Sequence, residues 1–215
     1  MKILFFYFGR IISLLTLPFY SFFEKMKSVK MYMYTGYYSR FFAAFGKGSV
    51  IVPTIRMLEG ARYITIGSDC IVGKQVQLTA FNYHSDDSFR PSIVLGDKSN
   101  IGDYSHITSI NSVQVGNGVL MGRNILITDN SHGGGDNFSN QLEIPVKARP
   151  MHSKGKVIIG DNVWIGEKAS IIGNVMIGRG CIIGANTVIT KNIPEYTLAV
   201  GNPVRLISLK NDKDE

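Results

Sequence analysis

Residues 159–190 read IGDNVW, IGEKAS, IIGNVM, IGRGCI, IGANTV and IT, an aliphatic residue returning every sixth position. The same hexad runs upstream to Ile66, and the hexads group in threes to give coils of 18 residues. The five coils lead with Ile66, Val72, Leu78; Leu95, Ile101, Ile107; Val115, Met121, Ile127; Ile159, Ile165, Ile171; and Ile177, Ile183, Ile189. A fixed internal period of this kind signals a solenoid, in which each unit buries its apolar edge only against its neighbours.

The position after the leading aliphatic gives the solenoid three distinct sides. It is Gly67, Gly73, Thr79 in the first coil and Gly160, Gly166, Ile172 in the fourth: glycine twice, then a β-branched residue, and the other coils repeat this order. Each hexad supplies a short flat strand and a turn, and the glycines are expected to relieve backbone strain at the corners. The expected fold is therefore all-β, a triangular parallel β-helix whose five coils rise about 24 Å at one strand spacing per coil.

The register also locates every insertion. Residues 84–94, 113–114 and 133–158 all leave after a third hexad, so from one corner, and the longest opens with Gly133-Gly134-Gly135. Long loops on a rigid scaffold are where function concentrates. The chain divides into an apolar, aromatic and helical segment over 1–47, the β-helix with its insertion over 48–207, and a polar tail over 208–215. Within the β-helix, residues 48–65 with Val50, Ile55 and Met57-Leu58 read as an irregular capping coil. The repeat is expected to stop after Ile193-Pro194-Glu195, and Lys210 to Glu215 to be disordered.

Twenty-three Lys and Arg against 16 Asp and Glu give a net charge of +7. That balance suits a phosphate-rich ligand or an acidic membrane. The cations are scattered and lack an aromatic ladder, which argues against nucleic acid. Cys70 and Cys181 occupy the same hexad position four layers apart, about 19 Å, too far for a disulfide, and read as small buried residues. The segment Ile3 to Phe23 contains Arg10 and Pro18 and no small-residue cleavage site follows it. Three placements fit it: a helix packed on the body or between subunits, an interfacial membrane anchor, or a bilayer span.

His132 ends the third coil, in Thr128-Asp129-Asn130-Ser131-His132-Gly133, just before the long loop. An imidazole at that corner is suited to general base work near neutral pH. Asp129, Asp136 and Glu143 are close enough in sequence to orient it, and none is singled out.

These residues, with Ile159 to Gly166, Ile183 to Pro194 and Ala199 to Ile207, resemble the hexapeptide-repeat acetyltransferases over residues 66–207. The likeness is to the maltose/galactoside O-acetyltransferase-like branch that includes capsule and O-antigen acetylating enzymes of polysaccharide biosynthesis. The resemblance implies a left-handed β-helix, a homotrimer with sites between neighbours, acetyl-CoA as donor, no required metal and His132 as catalytic base. It implies Trp164, Ala185, Thr190, Lys191 and Arg205 as the residues along CoA, and Asn111 as nearest to the family's acceptor-side Asn. Ser208 stands where the family often has a base. Arg90 and Arg149, on the insertions, are candidates for a nucleotide-sugar or lipid-diphosphate handle. The acceptor expected is a sugar, free or lipid-linked, at the inner face of the plasma membrane or in the cytoplasm. Three other readings stand beside this one: an N-acetyltransferase on an amino sugar, a γ-carbonic-anhydrase-like enzyme using His84, His106, His132 and His152, and a non-catalytic scaffold.

Overall fold

The computed structural model describes residues 1–85 and 87–209; the tail from Lys210 lies outside them. A helix, Lys2–Ser39, precedes a left-handed parallel β-helix whose three sides are sheets of six, eight and six strands. The register follows the hexads. On the first side Ile66 pairs with Leu95, Leu95 with Val115, Val115 with Ile159 and Ile159 with Ile177. On the third side the ladder is Leu78, Ile107, Ile127, Ile171 and Ile189. All of these leading residues are buried and form one continuous apolar axis.

Successive coils hydrogen-bond as layers: Gly67 N–H donates to Leu95 O, Gly96 to Val115 O, Gly116 to Ile159 O and Gly160 to Ile177 O, each at 2.8 Å. Side chains reinforce the stack. In four coils the fifth residue of the first hexad donates to the carbonyl at the second position of the next coil: Ser49 to Gly67 at 2.6 Å, Ser99 to Gly116 at 2.8 Å, Cys70 Sγ to Gly96 at 3.1 Å and Cys181 Sγ to Pro194 at 2.9 Å; Val119 and Val163 fill the position in the other two. Serine and cysteine exchange at this position because both are small donors. The two thiols are free and buried, and burial pushes both pKa values up, away from a reactive thiolate.

The hexad glycines differ from expectation. They do not carry the corner strain; positive φ falls two positions later, at residues such as Asp69, Lys98, Asn162 and Asn186, with φ of 57, 57, 56 and 57°. The glycines are needed because the next coil passes directly over them. A Cβ at Gly166 would stand 2.6 Å from the backbone N of Ala185 and 2.9 Å from the carbonyl of Ile183.

The stack extends past the five hexad coils at both ends. Ala44–Phe45, Val50–Ile51 and Met57–Glu59 form an earlier, irregular coil in which Ile51 faces inward. Beyond Pro194 the hexads end, but the stack gains one more strand before it closes: Ile193 bridges to Ile177, Thr197–Val200 adds to the second side, and Arg205–Ser208 closes it antiparallel. Only the last turns of the helix dock on the body. Thr35 Oγ1 accepts from Ile51 N at 2.9 Å, Tyr34 Oη accepts from Ile55 N at 2.9 Å, and Phe42 is buried in the core.

Gly166→Ala is expected to destabilise the fold by about 1–3 kcal/mol, since the contact is with backbone that cannot rotate away. Chemical denaturation of the variant beside the parent measures it.

Candidate active site

The three insertions do leave from one corner, where the third side turns into the first. Asp129 builds that corner. Its carboxylate is buried and accepts from Ser109 Oγ at 2.6 Å, Ile110 N at 2.9 Å, Asn111 N at 3.0 Å and Asn130 Nδ2 at 3.1 Å. One carboxylate thus ties the turn of the second coil to the end of the third. Fully engaged in this way, Asp129 does not orient His132.

Past Asp129 the chain leaves the prism as a hairpin, Asn130–His132 antiparallel to Met151–Ser153, with Ser131 opposite His152 and His132 opposite Met151. The glycine run after His132 lies against this hairpin. A Cβ on Gly134 would reach within 2.8 Å of the His152 ring at Cγ, and Gly133, Gly134 and Gly135 have φ of 82, 149 and 81°. Two short 3-10 turns complete the loop, and Arg149 ties it: its Nε donates to Ile144 O at 2.9 Å and its Nη2 to Leu142 O at 3.0 Å. That corrects the expectation that Arg149 is a ligand handle. Arg90 is exposed.

The His132 side chain is exposed on the hairpin. It meets the ring of His84, from the Tyr83–His84 and Asp87–Ser88 hairpin of the first insertion, with centroids 5.3 Å apart and planes at 66°. Among the described residues His84 Nε2 is buried without a hydrogen-bond partner. The spacing of the sequence treats His84 only as one histidine among four. The signal that pairs it with His132 is that His84 follows a third hexad and His132 ends one, so both leave from one corner.

The other histidines are apart from this pair. His106 Nε2 lies 3.0 Å from Thr79 Oγ1 on the third side, with its pKa lowered by burial. His152 lines a small pocket of about 90 Å³ with Asn130, Ser131, Lys154 and Ile172. Among the described residues no three His, Cys, Asp or Glu side chains gather in a metal-ligating group.

Asn111 is half-buried at the same corner and lines a pocket of about 440 Å³ with Lys156, Asn174, Met176 and Asn192. Thr190 and Lys191 are exposed there too. Thr190 follows the Ile171–Ile189 pair and Ile172 pairs with Thr128, so Thr190 stands two layers from Thr128, about 10 Å. Trp164, Ala185 and Arg205 lie elsewhere. Trp164 is 54% exposed on the outer face of the second side, between Leu120 and Ile182 in register. Ala185 is in the turn that leaves that side, and Arg205 opposes Val200 on the closing strand. The second side is the one opposite the His132 corner of the prism. Within one chain the structure therefore gathers His132, Asn111, Thr190 and Lys191 at one corner, and it separates them from Trp164, Ala185 and Arg205.

A parallel β-helix with a histidine-bearing hairpin at a loop-rich corner defines the class, and comparison with known proteins agrees. Residues 156–191 match the bacterial transferase hexapeptide family (six repeats). The chain is 34% identical over 151 residues to the putative lipopolysaccharide biosynthesis O-acetyl transferase WbbJ of Escherichia coli K12, covering 69% of this chain and 72% of that one. It is 29% identical over 164 residues to a probable acetyltransferase of Mycobacterium tuberculosis, Rv3034c, spanning 75% of this chain but 48% of the relative. Among solved structures, AntD, an N-acyltransferase from Bacillus cereus crystallised with dTDP and coenzyme A, superposes with a TM-score of 0.65 at 21% identity, covering 80% of this chain and 86% of that one. The hexapeptide-repeat acetyltransferase VCA0836 from Vibrio cholerae gives 0.55 at 23%, over 80% and 77%. The chain belongs to the hexapeptide-repeat acetyltransferase family, and it is an acyltransferase.

Proposed function

We propose that this protein transfers an acetyl group from acetyl-CoA to a hydroxyl of a sugar in a surface-polysaccharide precursor, with His132 as general base. The likeness to a lipopolysaccharide O-acetyl transferase supports oxygen over nitrogen as acceptor atom. The exposed imidazole at the only corner that carries insertions supports the assignment of the base. His132 takes the proton of the acceptor hydroxyl as its oxygen attacks the thioester carbonyl. Collapse of the tetrahedral intermediate breaks the carbon–sulfur bond, and the proton passes from the imidazolium to the departing CoA thiolate. The ester and free CoA are the products. Base catalysis of this kind contributes about 10²–10⁴-fold, and positioning of the two substrates supplies much of the rest.

Acetyl-CoA is the ligand to which Lys191 and Arg205 offer cations, Thr190 a hydroxyl and Trp164 an apolar wall. Because these residues sit on different sides of the prism, a single chain does not surround such a ligand, and a second copy packed beside the first does. A homotrimer, with Trp164, Ala185 and Arg205 of one copy facing the His132 corner of the next, brings the set together. The flat outer face of the second side is apolar enough for such packing, with Ile71, Leu120, Trp164 and Ile207 at 44, 51, 54 and 52% exposure in the single chain.

The N-terminal helix supports a membrane surface as a further partner. No helix of the described residues is long and apolar enough to cross a membrane. Leu4, Phe8, Ile11, Phe19, Phe22, Met26, Val29 and Met33 fall on one stripe of it, all at least half exposed. Lys2, Arg10, Ser13, Glu24 and Lys27 fall opposite, together with Phe6 and Tyr20. Residues 1–40 carry six cations (Lys2, Arg10, Lys25, Lys27, Lys30, Arg40) and one carboxylate, Glu24. A stripe at a period of 3.6 stays on one side of a straight helix, which suits a flat bilayer surface, and the cations suit acidic lipid at the inner face of the plasma membrane.

His132→Ala is expected to lower turnover at least a hundredfold while leaving the oligomer folded. Thiol release from acetyl-CoA across a panel of free and lipid-linked sugars measures it, and near-parental turnover rejects the base. The protein is expected to co-sediment with phosphatidylglycerol vesicles and not with phosphatidylcholine vesicles. Phe19→Glu combined with Phe22→Glu should abolish that binding; equal sedimentation of parent and variant contradicts the helix as anchor.

A further inference from the structure

We propose that His84 is the positioning residue for His132: the first insertion is folded back so that a second imidazole holds the base in one tautomer and one orientation. This rests on the assignment of His132 as the base and goes beyond it by naming the group that makes the imidazole competent.

A general base needs a third group to fix which ring nitrogen is free and where it points. The carboxylate nearest in sequence, Asp129, already accepts four hydrogen bonds that hold the corner together. Asp136 and Glu143 are exposed on the loop. Among the described residues, the group against the His132 ring is His84, with centroids 5.3 Å apart. Two imidazoles joined by an N–H···N hydrogen bond of about 2.9 Å have nearly this centroid separation, because each ring nitrogen stands a little over 1 Å from its centroid. The rings are at 66°, close to edge-to-face, and a turn of one ring about its Cβ–Cγ bond is the movement that would form that hydrogen bond.

The second observation is independent of the ring contact. Among the described residues His84 Nε2 is buried and has no hydrogen-bond partner, although the residue belongs to a short two-stranded hairpin at the surface of the prism. Buried polar atoms are almost always satisfied, and an exception marks a strained or functional group. Among the described residues the ring in contact with His84 is that of His132. In the working arrangement, the His132 nitrogen turned away from the acceptor keeps its proton and donates it to His84 Nε2. The opposite His132 nitrogen is then left bare to receive the hydroxyl proton. When that proton arrives, the imidazolium is still hydrogen-bonded to a neutral acceptor. No proton passes to His84 at any stage, so the proton balance of acetyl transfer is unchanged.

The geometry also gives the first insertion a purpose. Its hairpin leaves the prism two coils before the one that carries His132, and it reaches forward along the corner to meet that hairpin. The two insertions thus assemble one site from separate coils, which the hexads between them cannot do because their side chains alternate into the core or out from flat faces.

The test uses the full-length protein with selectively ¹⁵N-labelled histidine. Ring ¹⁵N shifts of His132 in the parent are expected to report a single tautomer, and in His84→Ala and His84→Phe a mixture of the two. His84→Gln, which keeps a neutral acceptor, should restore the single tautomer in part. Acetyl-CoA hydrolysis, with water as acceptor, supplies the kinetic arm. His84→Ala is expected to lower kcat ten- to a hundredfold with KM for acetyl-CoA unchanged. The same change should have no further effect in a His132→Ala background, because a residue that acts through another is non-additive with it. Identical His132 ring shifts in parent and His84→Ala overturn the proposal, as does a full multiplicative loss in the double variant. Full kcat in His84→Phe assigns the contact to packing alone and also overturns it. Failure of the base assignment has a different signature: His132→Ala by itself retains activity.

Discussion

Everything in this molecule depends on how closely one coil stands on the next. Each layer gives its backbone N–H groups to the carbonyls of its neighbour, so no coil satisfies its own polar groups or buries its own aliphatic edge. That spacing sets the composition. At the second position of the first two hexads the backbone of the next coil leaves room only for glycine, and in four coils a serine or cysteine at the fifth position reaches the next carbonyl. The axis is then filled by a ladder of Ile, Leu and Val whose packing tolerates little change in volume.

A scaffold this regular leaves function one place to go. Two of the three corners close tightly in coil after coil through left-handed residues such as Asn162 and Lys168; the third closes that way at Gly60 and Gly173, with φ of 62 and 82°, and opens into hairpins after the first and third coils. Asp129 makes that opening safe by anchoring the emerging chain to the coil before it. The outcome is a rigid post with chemistry at one edge and apolar surface on the opposite side. On the proposed function, that arrangement is the reason CoA would need two copies: Lys191 at the His132 corner and Trp164 and Arg205 on the far side do not face the same volume within one prism.

Much of this was legible in the sequence, and the boundary of legibility has physical causes. The inward ladders could be read directly, down to the pairing of Leu78 with Ile107 and of Ile127 with Ile171, because the core tolerates only one register. The common corner of the insertions followed from the same count. The purpose of the glycines was misjudged because strain at a turn and crowding by a neighbour leave the same residue in the sequence. The N-terminal capping coil was legible from Val50, Ile55 and Leu58 although it begins a few residues earlier, at Ala44, while the coil at Ile193–Ala199 departs from the six-residue spacing, which hid it. His84 was invisible as a partner of His132 because the direction in which a hairpin folds is decided by contacts between loops, which no period encodes. Arg149 looked like a free cation because its hydrogen bonds to Ile144 and Leu142 are closed by the fold of the loop itself.

The central claim is that one active site is assembled from the His132 corner of one copy and the second side of another. Subunit mixing tests it most directly. His132→Ala protein and a Trp164→Ala, Arg205→Ala protein, each inactive as a pure oligomer, are unfolded together and refolded as hybrids, and acetyl-CoA consumption is assayed. Hybrid oligomers that recover a substantial fraction of parental turnover are the predicted result, because some interfaces then pair an intact His132 with an intact Trp164 and Arg205. A mixture no more active than either parent variant would contradict the account and confine the site to a single chain.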